Sequence, residues 1–240
     1  MAIDDEIDQA QLQIEYAKTT VAPKVVTGFF EVLSAVGVKK AKPIAYLLQK
    51  VFKQREDNVQ YLLDATISRL RGLEKQVETF TAEHKLFIEE KLPQLLIEAT
   101  HRTEQTRSKE RIDRLSLIVV HTVVQGPSSS LEEVDEQLRI TIDLAEEDID
   151  ILCKIYDSQF RELSFLKFMP ERNVVNSSWK QLQDSNPIFK SSEIYSICSK
   201  LQSLGLIAQV PPINTTLDLT SMPYGLLLKG ANYLKAIERR

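Results

Sequence analysis

A chain of 240 residues can hold one large or two ordinary domains, and with 43% hydrophobic and 27% charged residues it has the composition of a soluble globular protein. Only 7 Gly and 9 Pro are present, too few turn-formers for an all-β or loop-rich fold. The net charge of −4 supplies no bulk attraction for nucleic acid or an anionic membrane, so either partner would need a local patch.

Residues 3–20 carry Ile3, Ile7, Ala10, Ile14 and Ala17 at three- and four-residue spacing, a narrow apolar stripe on an acidic helix. Asp4, Asp5, Glu6 and Asp8 stand where a secretion signal would carry Lys or Arg, which predicts a cytoplasmic protein. Cys153 and Cys198 sit among apolar residues, as buried thiols do in a reducing compartment, and nothing requires a disulfide. Residues 24–37 are rich in Val and Phe, Gly37-Val38-Lys39-Lys40 and Pro43 interrupt them, and Ile44 to Phe52 resumes the run. Such a hairpin of apolar helices at 24–52 is either buried core or an effector lying in a membrane interface. No stretch reaches the ~18 uninterrupted apolar residues of a membrane span.

From Gln54 to Leu92 the pattern predicts one long helix. Val59, Leu63, Thr66, Leu70, Leu73, Val77, Phe80, His84 and Phe87 alternate steps of four and three, a heptad seam with charged flanks. That seam would pair either with a second copy, making a homodimer through 54–92, or with helices of the same chain. Pro93 reads as the start of the next helix, which spans Gln94 to Val124 with a charged half, His101 to Arg114, and an apolar half after Leu115. Gly126-Pro127-Ser128-Ser129-Ser130 is the clearest loop, and Leu131 to Ile140 an acidic helix. Asp143 is placed as the N-cap of a helix running through Ile149, Leu152, Cys153, Ile155, Tyr156 and Phe160, with carboxylates favouring its first turn. A short helix is expected around Val175 to Leu182, and Asn186-Pro187 marks a turn. Ser191 or Ser192 then caps a helix carrying Ile194, Ile197, Cys198, Leu201 and Leu204.

The last fifty residues read helix, Gly turn at Gly205, extended run, Pro/Asn/Thr-rich hairpin, second extended run at Tyr224 to Leu228, and closing helix from Lys229. That order predicts a winged helix. The chain is therefore expected to be mainly α, with a helical bundle over 1–141 and a winged-helix-like domain with a small β-wing over 142–240.

Chemistry has little support in these residues. His84 and His121 fall on apolar or seam positions and read as structural. Glu98 and His101 form one Glu-x-x-His, whereas a di-iron bundle needs two such pairs and further carboxylates. No phosphate loop or nucleophile elbow can be written. The reading is of a protein that is not an enzyme and has no cofactor, metal or catalytic residue. Its recognition surface would be the outward side of the helix 191–204 with its flank: Lys190, Ser192, Tyr195, Ser196, Ser199 and Lys200. Residues 161–240 hold ten Lys or Arg against six Asp or Glu, a local excess favouring nucleic acid. The face nevertheless lacks the arginines that read guanine, and the wing, Pro211 to Ser221, has no Lys or Arg and one Asp218. Binding to DNA and binding to protein both remain open.

The turn at Leu204-Gly205-Leu206-Ile207 and the string Leu226-Leu227-Leu228-Lys229-Gly230-Ala231-Asn232-Tyr233-Leu234 resemble a bacterial pattern. In it, Leu-Gly-Leu-Ile precedes a wing and Leu-Thr-x-x-Gly-x-x-Phe-Leu opens the closing helix, with Leu228-Lys229 here in place of Leu-Thr. With the apolar helix pair and the charged helix before it, the chain resembles the abortive infection alpha proteins. That resemblance implies a bacterial helical protein ending in a winged helix and associated with phage defence or regulation. It carries over no catalytic residue.

Overall fold

The structure, a computed structural model, describes residues 31, 32, 36, 56–73, 76, 79–163, 177, 178, 182, 184, 191–209 and 223–238. The expectations for residues 3–20, for nearly all of the apolar hairpin 24–52, for Lys190 and for the wing 211–221 lie outside these. Among the described residues the fold is mainly helical, and the chain divides into two compact units, Met1–Asp143 and Leu144–Arg240.

Four helices dominate the first unit: α1 (Glu56–Gly72), α2 (Ala82–Glu104), α3 (Lys109–Gln125) and α4 (Leu131–Asp143). Helix α3 is the hub and packs against the other three. Its Ile112, Leu115, Ile118, Val119, Val120 and Val123 are all buried, because apolar residues at three- and four-residue spacing face more than one neighbour. The seam residues Val59, Leu63, Thr66 and Leu70 of α1 are buried inside this unit, and α1 packs most extensively on α3. A polar line runs along that interface. Thr66 Oγ1 lies 3.1 Å from Ser116 Oγ, and Arg69 reaches Ser116 Oγ at 3.1 Å and Asp113 at 2.8 Å.

Three expectations are corrected here. Among the described residues, the helix expected over 54–92 breaks after Gly72, and α2 starts afresh at Ala82. Gly72 weakens the run by about 1 kcal/mol relative to Ala, and Thr81 caps a new helix by accepting the His84 N–H at 3.2 Å. Pro93 does not begin a helix but lies inside α2, where it forgoes one backbone bond. The helix expected over Gln94 to Val124 is interrupted at 105–108, since Ser108 caps α3 by accepting the Arg111 N–H at 3.2 Å. Gly126–Ser128 form a single 3-10 turn before α4.

The second unit comprises α5 (Glu146–Leu163), β1 (Ser177–Ser178), α6 (Ser191–Ser203), β2 (Ile207–Gln209), β3 (Pro223–Leu226) and α7 (Leu228–Ala236). The strands form one antiparallel sheet in the order β1-β3-β2, with Ser177 opposite Tyr224 and Ile207 opposite Leu226. Helix α5 packs against α6, α7, β1 and β3. The buried set includes Ile149, Leu152, Ile155, Ile194, Cys198, Leu201, Leu206, Tyr224, Tyr233 and Leu234.

Two more corrections belong to this unit. Asp143 is the last residue of α4 rather than the cap of α5. The cap comes from within, as Asp148 Oδ2 accepts the Ala145 N–H at 2.7 Å, the half of a capping box that reaches back from the third helical position. The stretch expected to be a short helix over 175–182 contains β1 at Ser177–Ser178.

Candidate recognition surface

Helix α6 owes its exit to Gly205, whose φ of 69° is the left-handed conformation that ends helices. Leu206 N–H donates to Leu201 O at 3.0 Å and Gly205 N–H to Gln202 O at 2.9 Å. Those two bonds are the Schellman pattern, and the buried Leu201 and Leu206 supply its apolar contact. The turn hands the chain directly to β2, so the orientation of α6 is fixed against the sheet.

One side of α6 is closed, with Ile194, Cys198 and Leu201 buried. Burial pushes the Cys198 thiol up to about 12, leaving it protonated and unreactive at neutral pH. The opposite side is open. Ser192, Ser196, Ser199 and Ser203 are exposed and follow one another at steps of four, three and four, so their hydroxyls form one stripe. Tyr195, 60% exposed, and Gln202 border the stripe on one side. On the other side stand Glu193 and Lys200.

Lys200 is the one cation of this helix, and its ammonium is held. Nζ donates to Asp148 Oδ2 at 2.6 Å, and the Asp148 side chain is only 6% exposed. The same oxygen takes the Ala145 N–H, so one carboxylate caps α5 and clamps α6. The nearby Lys229 Nζ donates to Leu204 O at 2.7 Å, closing the carbonyl end of α6. Ser192, Tyr195, Ser196 and Ser199 thus share the open side, while Lys200 stands at its margin in an ion pair. Asp148 was not singled out by sequence reasoning beyond its place in an acidic first turn. Its partner lies 52 residues away, and no local pattern links the two.

The described residues of the first unit give no competing site. His84 Nε2 donates to Val123 O at 2.7 Å and its ring stacks on Phe80, so it is a packing histidine. His121 bonds Gln125 at 2.8 Å. Glu98 is paired with Arg102 at 2.7 Å and His101 is exposed. Among the described residues no three His, Cys, Asp or Glu side chains are grouped to hold a metal, and no helix is long and apolar enough to cross a membrane. In comparisons with known proteins, no family model, curated protein or solved structure matches this chain.

Proposed function

We propose that this is a non-enzymatic binding protein whose second unit is a winged-helix module presenting the hydroxyl stripe of α6 to a protein partner rather than to duplex DNA. The order α5-β1-α6-β2-β3-α7, with an antiparallel β1-β3-β2 sheet, supports the winged-helix reading. The observation that carries the choice of partner is the ion pair of Lys200 with Asp148. DNA affinity is dominated by cations on phosphates, and the only cation of α6 is already neutralised. Short hydroxyl side chains beside an exposed tyrosine allow close approach of another polypeptide. The resemblance to abortive infection alpha proteins supports a bacterial, cytoplasmic setting, with regulation or phage defence as the role.

The test uses the full chain with a fluorescent mixed-sequence duplex at about 50 mM salt. No salt-dependent binding is expected, and tight binding that weakens steeply with salt overturns the reading. A photo-crosslinker at Ser196 is expected to give a discrete protein adduct in cells, against a control at Lys235. Equal labelling at both positions counts against α6 as the contact face.

A further inference from the structure

Two cations at α6 are turned to internal partners. Lys229 holds the Leu204 carbonyl and Lys200 holds Asp148. The first is a charge–dipole contact that closes a helix end and leaves the ammonium charge uncancelled. The second cancels a charge, and the Asp148 carboxylate that does so is nearly fully buried. A buried carboxylate is costly to keep ionised without a partner, and this one has two donors on a single oxygen. The carboxylate therefore does more than cap α5, because the amide oxygen of an asparagine in its place could also accept the Ala145 N–H.

We propose that Asp148 is a specificity-determining residue, holding the Lys200 charge off the α6 face so that this surface does not attract polyanions. The proposal rests on the reading of α6 as the contact face. With Asp148 present the pair is neutral; with asparagine in its place the pair would carry one positive charge beside the serine stripe. One added phosphate contact steepens the dependence of affinity on salt by about 0.9 in log–log terms. Raising salt fourfold would then cost the variant about 3.5-fold more affinity than the parent.

The experiment compares the full-length parent, Asp148→Asn and the double variant Asp148→Asn/Lys200→Met, using the same duplex at about 50 and 200 mM salt. Asp148→Asn is expected to bind several-fold tighter than the parent at the lower salt, with the steeper slope, and Lys200→Met is expected to abolish the gain. Far-UV circular dichroism checks that each variant keeps its helices, and Asp148→Ser replaces Asp148→Asn should that variant unfold. If parent and folded variant bind equally weakly, or if the gain survives Lys200→Met, Asp148 has no such role while the protein-contact reading stands. Tight salt-dependent binding by the parent itself instead removes the reading on which the proposal rests.

Discussion

Gly126 ends α3 with φ 58° and ψ −134°, a backbone conformation that side chains make costly. The same position is closed for a second reason. A Cβ built there would overlap the His84 imidazole, which is pinned by its bond to Val123 O and by a parallel stack on Phe80 with centroids 3.9 Å apart. Since the bond runs to a carbonyl, Nε2 must carry the hydrogen. Gly126→Ala is expected to destabilise the protein by about 2–4 kcal/mol, part from the backbone and part from displacing the ring. In a His84→Ala background the second part vanishes, so a urea-denaturation double-mutant cycle should show strong coupling. Additive losses would mean the imidazole does not hold the turn. At this scale the sequence was half legible. His84 was recognisable as structural from its apolar neighbours, and Gly126 as a breaker. Their meeting, the first turn of one helix against the end of the next, had no signal, because a histidine's partner is set by helix crossing.

Among elements, α7 shows how close approach rather than conformation can demand glycine. Gly230 lies inside the first turn of α7, where Ala would ordinarily gain about 1 kcal/mol by helix propensity. Its Cβ would instead overlap Leu206 O, a backbone atom that also accepts the Leu227 N–H at 3.0 Å and cannot retreat. Gly205 is the opposite case, with a left-handed φ of 69° but only the flexible Lys229 side chain nearby, at 3.7 Å. Gly205→Ala should therefore cost about 1–2 kcal/mol, the left-handed penalty alone, and Gly230→Ala clearly more. Equal or reversed losses of thermal stability would show that α7 can slide on the sheet. The elements from Ser191 onward were readable because Gly205 and the apolar spacing punctuate them. β1 was not, for two serines carry no alternation and become a strand only by pairing with β3. The break after Gly72 was hidden for a related reason. The seam continues in sequence through Leu73 and Val77, whereas the Thr81 cap decides the chain's path.

For the molecule as a whole, mainly helical architecture followed from scarce Gly and Pro and from helical periodicity, both properties of composition. What composition could not supply was which polar groups each core would enclose. Cys198 and Tyr224, both buried in the second unit, give it a pH dependence of known sign. Burial pushes Cys198 from 9.0 to about 12. Burial likewise raises Tyr224 from 10.0 to about 12, with Cys198 and Tyr195 adding to the shift and the Gln209 hydrogen bond opposing it. Both groups are neutral when protonated, so the folded unit keeps protons that the unfolded chain releases. By linkage, stability is fully present below about pH 9, falls as pH rises from about 9 towards 12, and gains nothing on acidification. Far-UV circular dichroism can follow the unfolding. The urea midpoint read this way should drop between about pH 8.5 and 10.5 in the parent. It should drop less in Cys198→Ala, and least in Cys198→Ala/Tyr224→Phe. Every other titrating group is common to all three proteins, so the differences between curves isolate the thiol and the phenol. Three parallel curves would mean that neither group is held in its protonated form by the fold, and that the core around Cys198 admits water.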